Sequence, residues 1–387
     1  MINVFFLGLV SFFTDISTDM VYPLISLFLL ALGGSPALVG IVEGIAESLA
    51  SLLKVFSGHL ADKLKKKKAL AVAGYATSLF YKVALILATS WVGILIARII
   101  DRVGKGIRTA PRDALVSESA DKENMGRAFG IHKAMDMAGV AIGILFTYFF
   151  LRTATGVSDY KRLFTISVIP ALLGLIMFIF VKEKKEPQEA KTPEPFWKNI
   201  KKLDGQLKLY LLVVFIFTLG NSSNAFILIK AKDAGFNDIN VVLLYFIYNM
   251  VASILSIPLG KLSDKIGRKK LLVPGYIAFA LCYLGFAFAV TPVVMTAMFV
   301  IYGIYTAMTA GVERAFVAEI APKELKGTML GLHSTVAGIA LLPASAMAGL
   351  LWNAFGAAVP FIFGAGLSIL AALILLLFMK NKYKIIT

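Results

Sequence analysis

The sequence predicts an all-α polytopic membrane protein: twelve transmembrane helices in two pseudo-symmetric six-helix bundles. Three observations lead there. The 387-residue chain is 58% hydrophobic, with a mean hydropathy of +0.81, far above a soluble domain. Apolar runs of about 20 residues recur along it, each long enough to cross a ~30 Å hydrocarbon layer as a helix. The charged loops of the first half return in order in the second half. Short strands of alternating polarity, the mark of a membrane β-barrel, are missing from the pattern.

The spans are expected near 3–32, 37–62, 69–89, 92–116, 125–151, 161–181, 207–231, 239–262, 270–290, 293–319, 327–351 and 357–380. Every second connection is lysine-rich: DKLKKKK, SADKENMGR, the stretch from Lys182 to Lys208, DKIGRKK, APKELKG and the tail KNKYK. The loops between them, such as GGSP and ATSW, are short and nearly neutral. The positive-inside rule then puts both termini and the long middle loop in the cytoplasm of a cell-membrane protein. That rule also accounts for the net charge of +16, so nucleic acid is not an expected partner. The middle loop KEKKEPQEAKTPEPFWKNIKKLDGQ is polar and carries three prolines, the composition of a linker. The expected domains are 1–181, a linker 182–206, and 207–387. The single cysteine, Cys282, excludes an intrachain disulfide and a cysteine metal site. The first apolar run starts at once and is too long for a cleavable signal.

The repeat supports the two bundles. GHLADKLKKKK at 58–68 matches GKLSDKIGRKK at 260–270 with an offset of 202, and Arg112 matches Arg314 at that offset. One residue is then lost, and GRAFGIH at 126–132 matches GTMLGLH at 327–333. A parallel repeat of six spans is a transporter pattern, with the site expected near mid-membrane.

On these loops the whole chain resembles the major facilitator superfamily. That family's loop after the second span reads G-x-x-x-D-[RK]-x-G-[RK]-[RK]. Gly260, Asp264, Lys265, Gly267, Arg268 and Lys269 fit it fully. Gly58, Asp62, Lys63, Lys66 and Lys67 fit the first copy, with Lys65 in place of glycine. RIIDRVGKGIRTAPRDAL at 98–115 is similar to a bacterial subgroup described mostly as transporters of unknown substrate. The family's antiporter motif G-x-x-x-G-P is met by Gly139 and Gly143, but Ile144 replaces the proline. The resemblance implies that spans one, four, seven and ten line a central cavity.

Asp62 and Asp264 end spans two and eight, and Arg112 and Arg314 follow each by fifty positions. The expected latches are therefore Asp62–Arg112 and Asp264–Arg314, closing helix ends in one state and parting in the other. A switching carrier needs contacts of only a few kcal/mol, so that its states stay close in energy. Glu118 and Glu319 are further acceptors, for Lys66 and Arg268.

Inside the spans the charges set the candidate site. Ser11, Asp15, Thr18, Tyr22 and Ser26 share one broad face of span one, with Asp19 at its edge. Span two carries Glu43, Glu47, Ser51 and Lys54, and span four Arg98, Asp101, Arg102, Lys105 and Arg108. Such faces avoid lipid. At 1.5 Å of rise per residue, Asp19 comes roughly level with Arg98 and Asp15 with Arg102, and Glu43 and Glu47 reach about the same levels. Acids of span one are thus expected to meet guanidiniums of span four, which could take part in proton coupling or hold an anionic solute. In span five, His132, Lys133 and Asp136 offer a relay or a helix-end contact. His333 repeats His132, but Ala337 stands where Asp136 does. The second half is expected to be nearly free of charge in its spans. It offers Asn221, Ser222, Ser223 and Asn224 in span seven and Tyr302, Tyr305, Thr306 and Thr309 in span ten, a hydrogen-bonding and partly aromatic wall that suits an organic ligand or interhelical packing.

No phosphate-cradling loop, HExxH or paired-cysteine pattern occurs, so no nucleotide, metal or other cofactor is expected. These features together predict a non-enzymatic, monomeric secondary transporter. It would move a small organic solute by alternating access with proton coupling, more readily as an exporting antiporter. An uptake symporter and a non-transporting receptor or assembly protein of the same fold are the alternatives.

Overall fold

The computed structural model describes residues 2–64, 67–119, 125–152, 156–183, 204–289, 291–321 and 326–379, with side chains at 54–64, 125–127 and 326–328 left aside. All regular structure among them is helical. The helices are α1 (Ile2–Asp19), α2 (Tyr22–Ala31), α3 (Pro36–Leu64), α4 (Lys67–Leu87), α5 (Trp91–Glu118), α6 (Met125–Leu151), α7 (Val157–Ile166), α8 (Val168–Met177), α9 (Gly205–Gly220), α10 (Ala225–Asp233), α11 (Asp238–Ile266), α12 (Arg268–Phe288), α13 (Pro292–Ile320), α14 (Lys326–Phe355) and α15 (Val359–Phe378). Eleven stretches among the described residues are long and apolar enough to cross a membrane. α5, at 28 residues, is long enough but carries the charges from Arg98 to Arg108. It is the remaining expected span, and its charges are the candidate site. Large apolar side chains lie on the outside, among them Phe80, Leu87, Ile254 and Phe378. A surface of that kind needs lipid rather than water against it, and the chain is an integral membrane protein.

Three of the expected spans are not continuous helices. α1 stops at Asp19 and α2 starts at Tyr22. Pro23, four residues past Asp19, has no N–H to give the Asp19 carbonyl and its ring crowds that turn. Pro170 acts the same way on Ile166, where α7 ends and α8 follows. The third break, between α9 and α10, spans Asn221 to Asn224. Here short polar side chains compete for backbone groups, and Ser223 Oγ accepts a bond from the Ala225 N–H at 3.2 Å.

Contacts divide the chain into two compact units. One holds 1–35, 45–193 and 237–243; the other holds 36–44, 194–236 and 244–387. Inside the first, α1 packs on α6 and α8, and α4 packs on α5, α7 and α8. Inside the second, α9 packs on α14 and α15, and α12 packs on α13 and α15. These are the same span pairings, as a repeat requires. Close approach of α1 and α6 depends on Gly139 and Gly143. A Cβ on them would lie 2.4 Å from the Phe12 carbonyl oxygen and 2.6 Å from that of Ile16.

The ion pairs fix the register of the repeat. Lys67 pairs with Glu118 in the first unit and Arg268 with Glu319 in the second. Lys68 Nζ donates to the Val181 carbonyl at 2.6 Å, and Lys269 Nζ to the Met379 carbonyl at 2.6 Å. Tyr75 and Tyr276 follow at the same spacing. The offset is therefore already 201 from Lys67 onward. The residue is lost in the loop, between Asp264 and Arg268, and not after Arg112 as the sequence suggested. Gly267 sits at that loss with φ +95°, a left-handed turn that favours glycine. Lys65 and Lys66, and with Lys66 its expected pairing to Glu118, lie outside the described residues.

Candidate functional site

In the first unit, α5 carries the charged face. Arg98 is 1% exposed, Arg102 4% and Asp101 3%. Asp101 Oδ2 lies 3.4 Å from Arg98 Nη1 and 3.5 Å from Arg102 Nε. Glu47 of α3 reaches both guanidiniums, at 2.8 Å from Arg102 Nη2 and 3.7 Å from Arg98 Nη2. The Arg98 guanidinium also sits 5.4 Å from the centre of the Tyr22 ring.

The expected direct pairing of Asp15 and Asp19 with Arg102 and Arg98 is therefore corrected. The described ion pairs give those guanidiniums to Glu47 and Asp101, which approach from α3 and from α5 itself. Asp15 and Asp19 have no base within the ion-pair distance among the described residues. Asp15 faces Asp136, Arg108, Arg112 and Lys105 at longer range, and Asp19 faces Lys105, Arg102 and Lys82. Both are only half-buried.

Lys105 explains what they are exposed to. It is an exposed residue, yet 14 residues into α5, roughly 21 Å along it. Ile96, 52% exposed, is nine residues earlier and so on the opposite side of the helix. Ile96 marks the lipid side. Lys105 therefore opens inward, on the stripe shared with Arg98, Arg102 and Arg108.

Two cations here draw on little of the acid supply. Lys82 of α4 is fully buried, with Nζ 3.0 Å from Ser78 Oγ and 4.8 Å from the centre of the Tyr81 ring. The sequence reading did not single it out, although one lysine inside LFYKVALIL is the signal for it. Arg108 lies buried over the Tyr75 ring at 4.5 Å. Tyr75 begins a chain: its hydroxyl is 3.1 Å from Ser11 Oγ, which is 3.0 Å from His132 Nε2, and His132 Nδ1 is 3.5 Å from Asp136 Oδ1.

In the second unit, Asn221 Nδ2 donates to the Tyr305 hydroxyl at 2.8 Å, and the Tyr302 hydroxyl donates to Asn224 Oδ1 at 2.8 Å. Tyr248, Tyr302 and Tyr305 follow one another with ring centres 5.1 Å apart. The helix break thus presents amides to a ladder of tyrosines. Glu43 belongs to this unit, and its carboxylate accepts from Ser223 Oγ at 3.3 Å. Gly40 lets the start of α3 lie on the α14 backbone at Ser345, which brings Glu43 to the serine. The expectation of a nearly uncharged second half also changes: Glu313 in α13 and Lys230 in α10 are ionisable residues within its spans.

Of the two expected latches, Asp264–Arg314 is redrawn, while Asp62–Arg112 rests on a side chain outside the described residues. Asp264 pairs with Arg268 at 3.1 Å, and Arg268 also holds Glu319. One guanidinium at the start of α12 so joins α11 to α13, and Arg314 is exposed. Arg112 pairs with its neighbour Asp113 at 2.8 Å. Gly260 is open, with nothing within 4 Å of an added Cβ. Gly58 lies within α3, and the side chain of Asp62 lies outside the described residues. Among the described residues no three His, Cys, Asp or Glu side chains gather as a metal site would need.

The Major Facilitator Superfamily profile matches residues 7–340 and again 209–385. The chain belongs to the Major Facilitator Superfamily. Its similarity to the uncharacterized MFS-type transporter MJ1317 of Methanocaldococcus jannaschii is 38% identity over 97% of this chain and 94% of that one. It is 25% identical to the multi-drug resistance efflux pump PmrA of Streptococcus pneumoniae, over 81% of this chain and 80% of that pump. Among solved structures, the nucleoside transporter NupG superposes with a TM-score of 0.80 at 13% identity, covering 99% of this chain and all of that one. A D-xylose–proton symporter superposes with a TM-score of 0.76 at 17% identity, covering 98% and 97%. At those identities the superpositions speak for the superfamily fold alone. Within that fold, this member carries a row of intramembrane charges in one bundle and a ladder of tyrosines in the other.

Proposed function

We propose that the protein is a secondary carrier that moves a small organic solute by alternating access, energised by protons and working as an exporter. The observation that carries this reading is the open acid pair. Asp15 and Asp19 lie deep in the first unit, half-exposed, with Lys105 facing them from the same interior side. A carboxylate held in a membrane interior without an ion-paired base binds and releases protons more readily than it keeps a permanent charge. The neighbouring Glu47–Arg98–Asp101–Arg102 cluster is internally balanced, so it holds the helices while the acid pair titrates. In the second unit the amides and tyrosines suit a solute with ring surface and hydrogen-bonding groups. Export is favoured by the likeness to PmrA, whose name is that of an efflux pump.

The test uses proteoliposomes with a pH-sensitive dye inside. A panel of organic amines, nucleosides and sugars is added with no gradient imposed. The expected result is proton movement opposite to the solute for at least one class. Asp15→Asn and Asp19→Asn should lose it while keeping solute binding by thermal shift. Solute exchange that moves no protons in the unaltered protein would overturn the coupling, and proton movement in the same direction as the solute would make it a symporter.

A further inference from the structure

The second unit holds a carboxylate that the transport reading does not use. Glu313 lies seven residues before the end of α13, about 10 Å in. His333 lies seven residues into α14, at a matching depth of about 10 Å. Glu313 Oε1 accepts the Tyr276 hydroxyl at 2.9 Å, and Oε2 lies 3.8 Å from His333 Nε2. That nitrogen is buried and makes no hydrogen bond to any described residue. The separation is about 1 Å too long for one. Around the pair are aromatic rings: Tyr210 lies stacked on His333 and edge-on to Phe316, and Phe217 stacks on Tyr276 at 4.0 Å.

The repeat shows how unusual the arrangement is. With the offset of 201, Glu313 and Arg314 correspond to Arg112 and Asp113, so the two charges are exchanged between the halves. His132, the counterpart of His333, has Nε2 at 3.0 Å from Ser11 Oγ and Nδ1 at 3.5 Å from Asp136 Oδ1. In the second unit Asp136 becomes Ala337 and the carboxylate comes from the neighbouring helix. The first unit sets a fixed cation, Arg112, at this position. The second sets a group that can change its charge.

We infer that Glu313, His333 and Tyr276 form a proton-binding site in the second unit, separate from Asp15 and Asp19. With one proton the pair carries no net charge, whether the proton sits on the carboxyl or on the imidazole. Without it the pair carries one negative charge among aromatic rings. The charged state draws water or a cation between α13 and α14; the neutral state lets Nε2 and Oε2 close to hydrogen-bond distance. The charged and titratable groups facing Glu313 are Tyr276 from α12, Tyr210 from α9, His333 from α14, and Arg314 and Tyr305 from α13 itself. α11 brings Asp264 to the same end, where Arg268 occupies it. Glu319, about 1.7 turns along α13, shares that Arg268. Proton occupancy is thus read next to the contact that joins α11, α12 and α13. The meaning of the site for coupling rests on the carrier reading; its existence does not.

The experiment counts protons. Purified full-length protein, with no solute present, is stepped from about pH 8 to about pH 5, the window of an imidazole, with an indicator dye reporting uptake. Glu313→Gln is expected to take up about one proton fewer per molecule, which an ordinary solvated glutamate, titrating near pH 4.3, would not produce. His333→Asn is expected to move that step to lower pH, because one of two places for a shared proton is gone. Tyr276→Phe is expected to move it to higher pH, because the carboxylate loses its donor. Uptake equal to the unaltered protein in Glu313→Gln overturns the site. If that variant does not fold, an unmoved step in both His333→Asn and Tyr276→Phe overturns it instead. Loss of the proton in a protein that carries no solute would remove the carrier reading and leave this site. Full uptake by Glu313→Gln in a working proton-coupled carrier would do the reverse.

Discussion

Replacing Glu47 by Gln removes the carboxylate that reaches two buried guanidiniums. Arg102 loses a contact at 2.8 Å and Arg98 one at 3.7 Å, while both are at most 4% exposed. Removing one partner of a buried pair costs about 3–5 kcal/mol, because the other charge stays behind. Glu47 is 28% exposed and Asp101 still faces both arginines. The low end, about 3 kcal/mol, is therefore expected. For a bundle of this size each kcal/mol lowers the melting temperature by roughly 2–4 °C. The assay is thermal unfolding in detergent, followed by far-ultraviolet circular dichroism, for Glu47→Gln, Arg102→Met and the double variant. The double variant should be more stable than the sum of the single losses predicts, since it removes both charges together. Strict additivity, or a Glu47→Gln loss within about 0.5 kcal/mol of zero, would refute the account of this cluster as a balanced structural unit.

Lys82→Met should leave the melting temperature unchanged or raised, because a fully buried ammonium gives way to an apolar chain of similar length. The same variant should slow solute transport at least about tenfold, or 1.4 kcal/mol, since Asp19 loses a cation that faces it; transport at the normal rate would remove Lys82 from the site. Gly139→Ile should cost about 1–3 kcal/mol or more by overpacking, since even its Cβ meets the Phe12 carbonyl. Gly130→Ala, with open space around it, is the neutral control in the same melting assay.

Much of the fold was legible because hydropathy and charge act along the chain. A window of apolar residues has to cross lipid whatever its neighbours do, so the spans and the repeat could be read directly. The break at Pro23 was not foreseen: a ring four residues past a carbonyl removes one bond, but Pro111, Pro258, Pro274 and Pro343 stand inside unbroken helices, so the surrounding packing decides whether it ends one. The charged stripe of α5 was visible as a row of arginines at helical spacing. Its partners were not. Axial depth, at 1.5 Å per residue, put Asp19 level with Arg98, yet level groups need not touch. Glu43 shows the same limit: depth along its span does not reveal that Gly40 lets its helix lie on α14, where the carboxylate meets Ser223.

Glu313 escaped notice for a related reason. In sequence it sits beside Arg314 and looks like half of an exposed pair. Only the packing turns it toward Tyr276 and His333 while Arg314 faces outward.

The sequence by itself determined that this is a helical membrane protein built from a doubled unit, and that a large share of its intramembrane charge lies in spans one, two, four and five. The tertiary structure decided which acid meets which base, where the repeat loses its residue, and that Glu313 faces a histidine. The physical reason is that the hydropathy of a span is a sum over neighbours in the chain, whereas an ion pair depends on the rotation and tilt of two helices within an ångström or so, which no single helix encodes.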